Sequence, residues 1–97
     1  MTIDFTRRVA VPDSVLVRRL DDESVILDLE TESYYGLDDV AAAMWSHLVA
    51  AESIEAACEA LLAEYDVEPE RLRADLAALL EQLVEKGLVE LRDGQAA

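Results

Sequence analysis

The chain has 97 residues, 53% of them hydrophobic, with 22 acidic against 8 basic residues and a formal charge of −14. That length suits one domain with a modest core. The charge repels the phosphate backbone of nucleic acids and the surface of anionic membranes, because both are gripped through cations.

A single cysteine, Cys58, excludes an intramolecular disulfide and gives no sign of an oxidising compartment. The opening "MTIDFTRRVAVPDS" holds no apolar run of signal-peptide length. Nothing further along approaches the ~20 apolar residues of a membrane span. The chain reads as cytoplasmic.

In chain order, the first elements are strands. "PDS" (Pro12–Ser14) forms a turn, and the β-branched "VLVRRL" (Val15–Leu20) predicts a first strand. "DDE" (Asp21–Glu23) is a polar turn. In "SVILDL" (Ser24–Leu29), Val25, Leu27 and Leu29 share one face, and Ile26 and Asp28 the other. Glu30–Glu32 turns the chain again, and "SYYGL" (Ser33–Leu37) predicts a third strand. Two tight connections imply an antiparallel meander.

Helices follow. Asp38 or Asp39 caps the first, whose apolar positions are Val40, Met44, Trp45, Leu48 and Val49. Ser53 caps the second, with Ile54, Ala57, Cys58, Leu61, Leu62 and Tyr65 along one side. "DVEP" (Asp66–Pro69) interrupts the pattern, and Pro69 suits the first turn of a third helix. That helix carries Leu72, Leu76, Leu79, Leu80, Leu83 and Val84, and Gly87 terminates it in a left-handed conformation. Leu88–Leu91 reads as a short return strand and Arg92–Ala97 as a disordered tail. The predicted architecture is α+β and winged-helix-like: a three-stranded antiparallel sheet followed by a three-helix bundle, in one domain over residues 1–91.

No residue pattern calls for catalysis, a metal or a cofactor. His47 and Cys58 are the only residues of their kinds, and a structural metal site needs about four ligands at defined spacing. His47 reads as a surface or rim residue and Cys58 as a small core residue. Asp21–Asp22 and Asp38–Asp39 read as turn and cap residues. There is no nucleophile elbow, phosphate loop or dinucleotide fingerprint, and three glycines cannot build a Gly-rich cradle. A DNA-binding winged helix is the alternative use of this shape. The third helix sets Arg71, Arg73 and Lys86 against Glu70, Asp75, Glu81 and Glu85, which is the wrong sign for a recognition helix.

Two features stay unassigned by these exclusions. The third strand is a sheet edge without the proline or lysine that usually blunts one, and Gly36 gives another backbone room to approach. The leucine face of the third helix is wider than one core stripe. An open edge beside an apolar helix face is an arrangement for peptide binding by strand addition.

The passage "VILDLETESYYGLDDVAAAMW", followed by "SIEAACEALLAEYDV" and "LLEQLVEKGLVEL", resembles the PqqD family of peptide-modification chaperones. The resemblance runs from Val15 to Leu91. It implies a RiPP recognition element: a winged-helix-like module without catalytic activity that binds the leader segment of a ribosomally made precursor peptide. Such a leader adds to the third strand and packs on the third helix. Carried over by position, the strand part of the site is Ser33, Tyr34, Tyr35, Gly36 and Leu37. The helix part is Leu72, Arg73, Leu76, Ala77 and Leu80. The resemblance is to the discrete leader-binding proteins of lasso-peptide clusters, whose partners are a separate leader peptidase and a cyclase acting afterwards. A chaperone for a radical peptide-modifying enzyme is the other member of the family that the pattern fits. Glu32, Asp38 and Asp75 around the groove would favour basic groups on the leader or its enzyme.

Overall fold

The structure is a computed structural model that describes residues 3–21 and 23–93. Its elements in chain order are β1 (Arg8–Ala10), β2 (Val15–Leu20), β3 (Glu23–Asp28), β4 (Tyr34–Leu37), α1 (Asp39–Ala50), α2 (Ile54–Glu64), α3 (Pro69–Glu85) and β5 (Glu90–Arg92). The expected meander is present as β2-β3-β4, antiparallel throughout, with β4 at one edge.

Each turn of the meander has a local cause. Asp21 closes the first in the left-handed region at φ 49°; Asp22, expected in the same turn, lies outside the described residues. The second is built around Asp28. Its Oδ1 accepts from the Glu30 N–H at 2.9 Å and its carbonyl from the Glu32 N–H at 2.8 Å, and Glu32 turns back at φ 61°. That Asp28 side chain is buried, yet the Glu30 hydrogen bond holds its carboxyl below the usual carboxylate range, against the opposing effect of burial.

The helix boundaries follow the expected signals. Asp38 caps α1 by accepting from the Ala41 N–H at 2.8 Å, and Ser53 caps α2 by accepting from Ala56 at 3.0 Å. Pro69 opens α3, and Gly87 follows its end at φ 74°, where a side chain would be strained. His47 on α1 meets Glu64 on α2 at 2.7 Å, so the expected rim histidine is a link between two helices. No helix among the described residues is long and apolar enough to cross a membrane.

Alternation along the strands decides the core. Ile26, Tyr35 and Leu37 project from the sheet face that meets the helices, and Ile26 and Leu37 are fully buried. They join Trp45 and Leu48 of α1, Ile54, Cys58 and Leu61 of α2, and Leu76, Leu80 and Leu83 of α3. Cys58 is thus a core residue, and burial pushes its thiol pKa up.

Several expectations are corrected. Val40, Val49 and Tyr65, counted among the apolar helix positions, are exposed; α1 buries Met44, Trp45 and Leu48, and α2 buries Ile54, Ala57, Cys58 and Leu61. The return strand does not rejoin the meander. It starts at Glu90 as β5 and pairs with the unforeseen β1, in the register Val9↔Leu91. Arg92, assigned to a disordered tail, closes that strand; residues 94–97 of the tail lie outside the described residues.

Candidate functional site

The register of β3 and β4 determines what the sheet edge offers. The Asp28 N–H donates to the Ser33 carbonyl at 2.9 Å, which makes Asp28/Ser33 a hydrogen-bonded pair. In an antiparallel ladder such pairs alternate with pairs that exchange no bonds. Ile26/Tyr35 and Ser24/Leu37 therefore bond across the ladder, whereas Leu27/Tyr34 and Val25/Gly36 do not. The N–H and C=O groups of Tyr34 and Gly36 consequently point away from β3, into the open edge. This is the spacing an added strand requires.

Beside that edge lies α3. It packs chiefly on α2 and is joined to β4 by one side-chain hydrogen bond, and the strip between β4 and α3 is the candidate groove. At one end the Tyr35 hydroxyl donates to Oε1 of Gln82 at 2.8 Å and spans it. Near the other end, past Leu37, a recess of about 140 Å³ opens among Val40, Met44, Leu61, Tyr65 and Leu72, with Arg71 and Asp75 at its mouth. Gln82 and Asp75 lie seven residues apart on one face of α3, so β4 and α3 run in opposite directions along the groove.

The strand residues proposed from sequence all sit at this edge, with different tasks. Tyr34 is 68% exposed and stands on the outer sheet face, away from the helices. Tyr35 forms the groove floor, and Gly36 lies at the open edge with free space where a Cβ would be. Leu37 is core beneath the groove. Ser33 ends the preceding turn, its hydroxyl accepting from Thr31.

The helix residues are placed differently. Leu72, Leu76 and Leu80 are buried, the last two at 0% exposure, and underlie the groove as core. Arg73 lies on the far side of α3, bonded to Glu55 of α2 and stacked 4.3 Å above the Phe5 ring. Ala77, one turn on, shares that side. The α3 face turned to β4 is instead the flank that carries Asp75, Leu79 and Gln82. Sequence reading placed Asp75 around the groove and Leu79 on the apolar face of this helix, but missed Gln82 and gave Val40 and Tyr65 no part in the recess. The available signal was that a helix resting on a core offers a neighbour the border of its apolar stripe, and Gln82 marks that border.

An antiparallel meander with β4 at an open edge and three helices, the last beside that edge, defines the winged-helix-like class of RiPP recognition elements. Within it the chain belongs to the PqqD family, whose description, coenzyme PQQ synthesis protein D, matches residues 23–89. Two solved structures are similar. One is TbiB1 in complex with the TbiA(beta) leader peptide, 36% identical, with a TM-score of 0.72 and coverage of 91% of this chain and 99% of that one. The other is lasso peptide synthetase B1 complexed with the leader peptide, 27% identical, with a TM-score of 0.73 and coverage of 86% and 98%. No curated protein matches the chain.

Proposed function

We infer that this protein is a non-catalytic leader-binding module. It takes the leader of a ribosomally made precursor peptide as an added strand on β4, and presents it to a separate leader peptidase ahead of a cyclase. One observation carries this reading: the Tyr34 and Gly36 backbone groups face an open edge that borders a groove. The leader-peptide complexes of the two similar proteins, one of them a lasso peptide synthetase B1, support it. Backbone pairing would supply register and affinity, and the groove and its apolar recess would read the leader's side chains. The Asp75 carboxylate at the recess favours a basic group on the leader or on the enzyme.

DNA binding is not favoured. Among the described residues α3 and its flanks carry more acids than bases, and the whole chain carries −14.

The test is a yeast-displayed library of random linear peptides, with the TbiA(beta) leader included, sorted on fluorescent protein in the cytoplasmic pH range. Clones are expected to enrich on the wild type and to fall away on Tyr34→Pro, a change that removes one outward N–H. Absence of enrichment, or enrichment indifferent to Tyr34→Pro in a folded protein, would overturn the reading.

A further inference from the structure

The meander has a second edge, at β2. The Leu29 N–H donates to the Ser14 carbonyl at 2.9 Å, in the register that sets Val15 opposite Asp28. Ser14/Leu29 is therefore a bonded pair. By alternation Leu16/Leu27 and Arg18/Val25 are bonded too, whereas Val17/Ile26 and Arg19/Ser24 exchange no bonds. The N–H and C=O groups of Val17 and Arg19 point away from β3, and among the described residues no backbone group bonds to them. Their side chains lie on the sheet face turned to the helices, in rows with Ile26 and with Ser24 and Leu37. Beneath that edge is a cavity of about 260 Å³, lined by Val17 and Arg19 from β2 and by Ala42, Ala43 and Trp45 from α1.

Charge decides what fits there. Arg7, Arg71, Arg73 and Arg92 are each paired with a carboxylate, but among the described residues Arg18 and Arg19 are not. These two stand side by side on the exposed half of β2, one on each face of the sheet. A charge on the inner face of an edge bars strands that would bury it unpaired. It admits a strand that brings a carboxylate, so one residue both excludes and selects. Asp39 also lines the cavity, but it follows β4, two strands from the β2 edge. Asp21 and Glu23 sit past Arg19, at the turn into β3.

We propose that the β2 edge is a second strand-addition site, and that its occupant is an extended acidic segment of a partner protein. Residues of an added strand across from Val17 and Arg19 point into the cavity, and the residue between them lies beside Arg18 on the outer face. The fitting segment sets an aliphatic residue opposite Val17 and carboxylates opposite Arg18 and Arg19. A second copy of this chain does not fit, because two β2 edges would bring their arginine pairs together on bodies that each carry −14. The sheet's two edges differ in sign: Glu32, Asp38 and Asp75 surround β4, and Arg18 and Arg19 mark β2. Basic and acidic segments are thereby sorted to opposite edges, where both can be held at once. The β2 site does not depend on what β4 binds.

The probe is the peptide acetyl-Thr-Val-Glu-Glu-Val-Thr-amide, which meets this pattern in either strand direction, with a Lys-Lys counterpart as control. An isolated strand of this length binds too weakly to enrich in display. It is therefore titrated to millimolar concentration against the isotope-labelled full chain at low salt, with amide shifts as the readout. The Glu-Glu peptide should shift residues 16–20 on the wild type and on Tyr34→Pro alike, and the Lys-Lys peptide should not. On Arg19→Glu the preference should reverse, with the Glu-Glu peptide about fivefold weaker. Arg19→Gln is the milder companion, and circular dichroism establishes folding of each variant. Val17→Pro removes an N–H that faces the open edge, where a strand tolerates proline, and should abolish the shifts. Absence of shifts at β2, equal shifts with both peptides, or shifts unmoved by Arg19→Glu would overturn the proposal. Shifts confined to β4, or a wild-type dimer that Val17→Pro dissociates, would overturn it too. The reading of β4 is tested separately, by the displayed library.

Discussion

The Tyr35 hydroxyl donates to Gln82 Oε1 across 2.8 Å, and among the described residues this is the side-chain hydrogen bond that joins β4 to α3. It spans 47 positions of sequence and fixes the width of the groove at one end. Tyr35→Phe keeps the ring on the groove floor and removes only this bond. Its expected cost is about 0.5–1.5 kcal/mol in urea unfolding, nearer the lower limit because the bond is open to water. Gln82→Ala should cost a similar amount, and the double variant no more than the larger single loss. Additive losses would show that the two residues act separately.

The leucine face of α3 and its groove flank separate in a second comparison. Leu76 is fully buried in the core, so Leu76→Ala should cost about 2–5 kcal/mol and weaken peptide binding only through loss of fold. Asp75 is exposed, and Asp75→Arg should leave stability within about 0.5 kcal/mol. Its effect should fall on peptide choice, with selected peptides losing Lys and Arg near the recess. Unchanged selection on Asp75→Arg would remove that carboxylate from the site.

Legibility in the sequence followed the strength of each local signal. The meander was readable because Val25, Leu27 and Leu29 alternate with Ile26 and Asp28, and turn residues flank both connections. Asp38, Ser53, Pro69 and Gly87 marked helix ends through their own chemistry. Of the β1–β5 ribbon only the return strand was readable, two residues early; β1 and the pairing were not, since three-residue strands carry no period and are defined by each other. The edge was found for a topological reason: the last strand of a meander has one neighbour. The α3 part of the site was displaced because periodicity identifies an apolar stripe and not its rotation about the helix axis. The core claimed Leu76 and Leu80, α2 and Phe5 claimed Arg73, and the groove was left with Asp75, Leu79 and Gln82.

The alternating ladder separates two neighbouring prolines. Tyr34→Pro removes an N–H that faces the open edge, the place where a strand tolerates proline. Its unfolding midpoint should stay close to that of the wild type while peptide enrichment is lost. Tyr35→Pro removes an N–H paired with β3 and orphans the carbonyl of Ile26, at an expected cost of about 1–3 kcal/mol. Greater destabilisation by Tyr34→Pro than by Tyr35→Pro would mean that the bonded and free pairs of β4 have been assigned in the wrong order.

The turn that delivers β4 to the edge depends on a charge. The hydrogen bond from Glu30 holds the Asp28 carboxyl pKa below its ordinary 3.8, with bonds from Ser14 and Thr31 adding to it and burial opposing it. The unfolded chain therefore takes up this proton at higher pH than the folded one. The resulting stability is present above about pH 3.8 and is lost as pH falls through the lowered native value. Asp28→Ala lacks that component. The difference in urea midpoint between wild type and Asp28→Ala should be constant from neutral pH to about pH 5, then narrow toward about pH 2. Asp4, whose carboxyl is also lowered by hydrogen bonds from Thr6, titrates in both proteins and cancels in the difference. A difference that stays constant to the acid limit would show that the ionised carboxylate does not hold the turn. Because Glu32 and Ser33 lead from this turn into Tyr34, the same variant should broaden the amide signals of residues 34–37 before the core unfolds.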